Sequence, residues 1–462
     1  MGIAKATLVG APGKRRRPAH PLALTSLILG LLVFLSACGA GPTPTTGAAA
    51  TTPTTAATGA ATTAATAAAT SAAAAQASPT RAASPATSTA GTTASPTRAA
   101  SSPAASPVRT GSPAAGATPN TAIRISGKQG DADSLNGTGA TFPQVLYSRW
   151  FSEYERVTGV KVNYQGTGSS AGKNAIRDQT ADFAGSDSPM SDQEQQAAAQ
   201  RCGDNIVHIP TALGAIVVAY NPQGMPSGAP LKLDGDTIAG IFLGDIAKWN
   251  DPKIAAQNPG VTLPNEDIIT VHRSDGSGTT DNFTSYLAAV NAKWRDTVRS
   301  GTTVNWPGGI GAQGNQGVAG EIKNNPYAIG YVELAFAKQS QLPYADVKNQ
   351  AGQHVTATAA SVTAAGEAFA PQAPPDLRFK LVNAAGAQSY PITAVTWILV
   401  CPKQTDQAKA VALTRMLWWA THDAQRLNEE LDYAPIPPSF QVRAEQFISA
   451  VTVNNQRAFP GR

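Results

Sequence analysis

The chain has 462 residues, 42% apolar, 14% charged and 6% aromatic, leaner in core and in charge than an average soluble domain. From Gly39 to Pro119 every residue is Ala, Gly, Pro, Ser or Thr except Gln76, Arg81, Arg98, Val108 and Arg109, a composition that cannot bury a core. Ten Lys and Arg and no Asp or Glu precede Asp131, leaving 25 basic against 30 acidic residues after it, so the overall charge of +5 argues for no nucleic-acid partner.

In chain order, Lys14-Arg15-Arg16-Arg17 precedes an apolar run from Leu22 to Leu35, too short for a bilayer span of about 20 residues but suited to the core of an export signal. The run closes with Leu35-Ser36-Ala37-Cys38-Gly39, which resembles the lipobox of bacterial lipoproteins. That resemblance implies removal of residues 1–38 up to a lipidated Cys38 and a membrane attachment through the lipid. An uncleaved anchor, or a signal cut without lipidation, stays open. No later apolar stretch approaches about 18 residues, so the remainder is expected outside the cell, on the outer face of the cytoplasmic membrane or in a periplasm. Residues 39–130 read as a disordered Ala/Thr/Ser/Pro-rich tether with a near-repeat, Ser78 to Ser84 and Ser95 to Ser101. As a flexible coil it spans about 50 Å, and its hydroxyls permit O-glycosylation.

From Asp131 onward, helical and strand spacing take turns. Leu146, Trp150 and Tyr154 after Pro143 predict a helix, and Val160 to Tyr164 a strand. Ser191-Asp192-Gln193-Glu194 is a capping-box sequence opening a helix through Gln200. Strands are expected at Ile206 to Ile209, Ala215 to Tyr220, Ile268 to His272, Ala328 to Val332 and Thr393 to Val400; helices at Thr405 to Thr421 and Ser439 to Val451. The order is α/β, in which ligands sit beyond the carboxyl ends of strands. Cys202 and Cys401 are either a disulfide or two buried thiols. His20, His208, His272, His354 and His422 are too scattered for a zinc site, and no metal or cofactor is expected. Trp418 and Trp419 are open between core and a docking face.

Three loops stand out. They are Gly137-Thr138-Gly139-Ala140-Thr141-Phe142-Pro143, Tyr164-Gln165-Gly166-Thr167-Gly168-Ser169-Ser170-Ala171-Gly172 before a helix from about Lys173, and His272-Arg273-Ser274-Asp275-Gly276-Ser277-Gly278-Thr279-Thr280 before the helix of Phe283, Tyr286, Leu287 and Val290. Each places small residues, hydroxyls and free backbone N–H groups at the positive end of a helix, which suits an anion. Read singly, each is also ordinary capping and turn chemistry. Arg273 adds a guanidinium able to grip a tetrahedral oxyanion in bidentate fashion.

These residues resemble the phosphate-binding proteins of ABC phosphate importers. The motifs are Gly139-Ala140-Thr141-Phe142-Pro143, Tyr164-Gln165-Gly166 through Gly168-Ser169-Ser170, Asp182-Phe183 through Ser186-Asp187, Asp275-Gly276-Ser277-Gly278-Thr279, Gly330-Tyr331-Val332-Glu333 and Tyr390-Pro391-Ile392-Thr393, in order from about Leu135 to Val451. The resemblance implies a two-lobe type II periplasmic-binding fold with two crossover strands near Thr211 and Tyr390. Lobe 1 would hold 131–211 and 390–462, and lobe 2 would hold 212–389. It implies phosphate held by Thr141 and Phe142, by Ser169, by Ser277, Gly278 and Thr279, and by the cation Arg273, which Asp275 orients. Asp187 would accept the proton that phosphate carries and sulfate lacks. The implied partners are inorganic phosphate and the membrane permease and ATPase subunits of the importer, with the binding protein a monomer and not an enzyme. Ala171 departs from the family, standing where many relatives carry glycine.

Two other readings compete. Another tetrahedral oxyanion such as sulfate fits the same scaffold, Asp187 speaking against it. A surface hydrolase using Ser170 fits the G-x-S-x-G pattern of Gly168 to Gly172, but no histidine is singled out as its base. A nucleotide-binding P-loop is set aside, since three residues rather than four separate Gly168 from Gly172 and Asn174 follows Lys173.

Overall fold

The computed structural model describes residues 131–461 apart from Pro222, Pro226, Ser227 and Ala229. The signal at 1–38, the lipidation at Cys38 and the tether at 39–130 lie outside the described residues.

Apolar alternation and turn glycines produce eight principal strands: β1 (Ser134–Gly139), β2 (Lys161–Gly166), β3 (Phe183–Ser186), β4 (Val207–Tyr220), β5 (Ile269–Arg273), β6 (Ile310–Ala312), β7 (Ala328–Glu333) and β8 (Thr393–Val400). They form one sheet in the order β2-β1-β3-β8-β4-β7-β5-β6. Two parallel blocks, β2-β1-β3 and β7-β5-β6, flank an antiparallel centre of β8 and β4. The first part of β4, Val207 to Ala215, pairs with β8; from Ile216 to Tyr220 it pairs with β7. Two strands were expected over this stretch, split around Pro210 and Gly214, and one continuous strand results. Proline is tolerated there because the register shifts beside it: Pro210 faces Trp397 and Ala212 faces Thr396, so Thr211 is a bulged residue, and a bulge accommodates a missing N–H while bending the strand.

The register dictates where a site forms. β7 runs antiparallel to β4 with Glu333 opposite Ile216, and β3 runs antiparallel to β8, itself antiparallel to β4. The carboxyl ends of both parallel blocks therefore face the middle of β4. Gly139, Gly166 and Ser186 arrive from one side, Arg273, Ala312 and Glu333 from the other.

Helices cover the sheet. α1 (Gln144–Thr158) buries Leu146, Tyr147, Trp150, Phe151 and Tyr154 along one face and stops at Gly159 in the left-handed conformation. α2 (Ser169–Arg177) begins four residues earlier than the spacing predicts, so that Ser169 and Ser170 lie in its first turn. α3 (Asp192–Cys202) opens with the expected reciprocal capping box of Ser191 and Glu194. α4 (Gly278–Val290) and α5 (Gly314–Asn324) follow β5 and β6; α6 (Leu334–Gln339) follows β7. α7 (Gln407–Thr421) and α8 (Pro438–Ala450) lie within two residues of expectation, and a short hairpin of Thr452–Val453 and Gln456–Arg457 follows them. Trp419 is buried against Trp150 and Tyr154, while Trp418 stacks on His422 and Phe459. Cys202 and Cys401 are joined as a disulfide.

Candidate functional site

All nine residues singled out by the motifs converge where the two blocks meet. β1 leads into Thr141 and Phe142, β2 into Ser169, β3 into Asp187, and β5 into Asp275, Ser277, Gly278 and Thr279. Gly137 to Gly139, read from sequence as part of a loop, instead finish β1. The segments touch across the junction: the Ser170 N–H donates to the Gly276 carbonyl (3.0 Å), the Gly278 N–H to Ser169 Oγ (3.0 Å), and Asn282 Nδ2 to the Asp187 carbonyl (2.6 Å). Such closeness leaves no room for side chains at two positions. A Cβ on Gly168, whose φ is 100°, would sit 2.6 Å from Asp275 Oδ2, and one on Gly278 would sit 2.6 Å from Ser169 Oγ. Ala171 is exposed on α2, so the departure from the family's glycine lies off these contacts.

Arg273, 4% exposed, is held edge-on by Asp275, with Nε donating to Oδ1 (2.7 Å) and Nη2 to Oδ2 (2.5 Å). The Gly314 N–H also donates to Asp275 (3.0 Å). Burial works to raise the Asp275 carboxyl, but the guanidinium and that amide outweigh it and hold the pKa below the usual range. This pairing fixes the plane of the guanidinium and directs Nη1 at Thr279, where the bond to Oγ1 is long (3.4 Å). A buried cation so braced retains N–H donors for a further acceptor.

Around it are donors of a second kind. The amides of Thr141 and Phe142, both buried, have no hydrogen-bond acceptor among the described residues. Buried N–H groups are almost always paired, and orphans at a junction linked to Arg273 through Asn315 and Thr279 suit an anion. Ser169 and Thr279 lie in the first turns of α2 and α4, whose early amides have no partner within their helices. Two of the expected donors are committed inside the protein: the Ser277 amide to Thr302, with its hydroxyl capping α4 through Thr280, and the Gly278 amide to Ser169.

Asp187 lies beside Ser169 and Gly278 at the same junction. It is 1% exposed, with Thr396 donating to Oδ1 (2.8 Å) and Ser169 to Oδ2 (3.3 Å). Burial pushes its carboxyl up to about 7, against the pull of Thr396, Arg273 and Ser169. The group thus sits at the balance between accepting and donating a proton near neutrality.

Sequence reasoning missed two members. Thr396, in mid-β8, carries no local signal. Asn315 had one: Gly311-Ala312-Gln313-Gly314-Asn315 is a fourth strand–glycine–helix junction. Among the described residues, no histidine is hydrogen-bonded to Ser170. His208 is buried, accepts from the Met190 N–H (3.1 Å) and is pushed down to about 3 by burial; His272 bonds the Arg273 carbonyl and His422 pairs with Glu445.

A family model described as a PBP superfamily domain matches residues 124–413. The phosphate-binding protein PstS of Xylella fastidiosa (strain Temecula1) is 40% identical over 329 residues, 71% of this chain and 88% of that protein. The chain belongs to the PstS family. Its Haemophilus influenzae relative, also a phosphate-binding protein PstS, is 42% identical over 306 residues, 66% of this chain and 90% of that one. Among solved structures, a high affinity periplasmic phosphate-binding protein (PfluDING) bound with phosphate matches with a TM-score of 0.55 and 25% identity, covering 68% of this chain and 93% of that one. The PstS membership agrees with the motif order read from the sequence and with the mixed α/β sheet.

Proposed function

We propose that this protein binds inorganic phosphate outside the cytoplasm and delivers it to the permease and ATPase subunits of an ABC importer. The observation that carries the reading is the cradle itself, a buried guanidinium and orphaned amides at the junction that also buries the Asp187 carboxylate, poised near neutrality. Thr141, Phe142 and Thr279 donate to phosphate oxygens, Arg273 neutralises them, and Asp275 orients Arg273. Ser169, Ser277 and Gly278 build the wall and lend hydroxyls or amides when the lobes reposition. Asp187 accepts the proton of hydrogenphosphate. Names of the PstS relatives and the phosphate held by PfluDING support the same ligand.

Lobe 1 comprises 131–211 and 390–462 and lobe 2 comprises 212–389, closing about β4 and the segment through Tyr390. The described face-to-face contacts fit the closed form, which is the shape a permease would recognise. Cys38 carries the lipid, the tether lets the monomer reach from membrane to permease, and no cofactor or catalysis is involved. Calorimetry with phosphate, arsenate and sulfate tests this: phosphate should bind at micromolar concentration or tighter and sulfate far more weakly. Equal binding of sulfate would overturn it.

A further inference from the structure

The polar bookkeeping around Asn315 goes one step further than the ligand assignment on which it rests. Asn315 is fully buried in the first turn of α5. Its Oδ1 accepts from the backbone N–H of Glu333 at 2.9 Å. A backbone amide only donates, so this bond settles which end of the carboxamide is oxygen. Nδ2 must then face the other way, and it does so with both hydrogens engaged: 2.9 Å to Thr141 Oγ1 and 3.3 Å to Thr279 Oγ1. The Asn315 backbone N–H also donates to Thr141 Oγ1, at 3.1 Å. Thr279 Oγ1 takes its second donor from Arg273 Nη1 at 3.4 Å.

A hydroxyl has two lone pairs and one proton. With both lone pairs of Thr141 and both of Thr279 engaged, each oxygen can act only as a donor, and neither proton has an acceptor among the described residues. We infer that Asn315 is a positioning residue for selectivity: by filling both acceptor sites of Thr141 and, with Arg273, those of Thr279, it makes both hydroxyls obligate donors, so that this side of the cradle accepts only unprotonated oxyanion oxygens. Asp187 on the other side is then the one place where a ligand proton can be received. The division tells the site which oxygen of hydrogenphosphate goes where. It also disfavours ligands that present a hydroxyl, such as a protonated phosphate oxygen, to the Thr141 side.

The test is a double-mutant cycle on the full-length protein, read by phosphate calorimetry. Asn315→Ala should weaken phosphate binding by about 10- to 100-fold, the worth of one or two hydrogen bonds to a charged group. In a Thr141→Val, Thr279→Val background the same change should cost less than about threefold, because Asn315 acts through those hydroxyls. Asn315→Asp keeps the shape and the bond from Glu333 but reverses both hydroxyls, and serves should the alanine variant fail to fold. Its deficit relative to wild type should shrink as pH falls from about 8 to about 6, where phosphate gains a proton to offer. A merely structural Asn315 would give additive effects and a pH-independent deficit, and either result overturns the inference. Wild-type protein that fails to bind phosphate would instead remove the ligand assignment beneath it.

Discussion

In the proposed phosphate site, Asp187 concentrates the chemistry of selection in one carboxylate. At about pH 8 it is largely ionised and repels an anion that brings no proton; below about pH 7 it is increasingly protonated and becomes a donor. Preference for phosphate over sulfate should therefore narrow as pH falls from about 8 to about 6, measured as the ratio of dissociation constants. Asp187→Asn, which offers a permanent donor, should reduce that ratio at every pH and flatten its dependence, while leaving the melting temperature close to wild type or above it. The motif residues around this carboxylate were legible because each sits in a glycine-rich segment of characteristic composition. Asn315 sits in a fourth junction of the same kind, but an asparagine at a helix start also reads as routine capping; its three-dimensional partners, Thr141, Thr279 and Glu333, decide between the two.

At the level of elements, the strands and helices of strong periodicity were readable to within a residue or two, as β8 and α3 illustrate. β4 was not, since Pro210 and Gly214 interrupt the pattern and only pairing with β8 on one half and β7 on the other sustains the strand. Local propensity yields to sheet hydrogen bonds here. Glu333, at the end of β7, shows a further effect of tertiary placement. It is fully buried, caps α6 through the Ala335 N–H (2.9 Å), and burial pushes its carboxyl up to about 8. For Glu333 and Asp187 together the sign is fixed. Both pKa values are raised on folding, so the folded state binds more protons than the unfolded between about pH 4 and about pH 8, and ligand-free stability falls as pH rises through that window. Melting of the phosphate-free protein should show a higher midpoint near pH 5 than near pH 8, and Glu333→Gln should lessen the difference. The disulfide from the end of α3 to the end of β8 is an independent brace. A loop of this length is worth roughly 2–5 kcal/mol, so Cys202→Ala with Cys401→Ala should lower the melting temperature by several degrees.

For the whole molecule, the register of β4 explains why a site exists at all. Pairing with β8 over one half and with β7 over the other, β4 joins the two blocks so that their carboxyl ends turn toward one another, and the loops that follow run into the junction. Opening of the proposed lobes would have to break the contacts of Ser170 with Gly276, Asn315 with Thr141, and Asn282 with Asp187. It must also separate Lys338 from Asp432 and Arg378 from Asp192. Closure is then favoured only when an anion adds its own bridges. Small-angle scattering should give a smaller radius of gyration with phosphate than without it, and no change with sulfate at the same concentration.

The bond between Cys202 and Cys401 spans 199 residues, and everything from α4 through α6 lies inside that covalent ring. A protease that cuts once within the ring, for instance near the exposed Gln350 to Gly352 turn, would release no fragment. The nicked protein would migrate as one band until a thiol is added and only then fall into two pieces, so a single cut would leave both halves covalently joined.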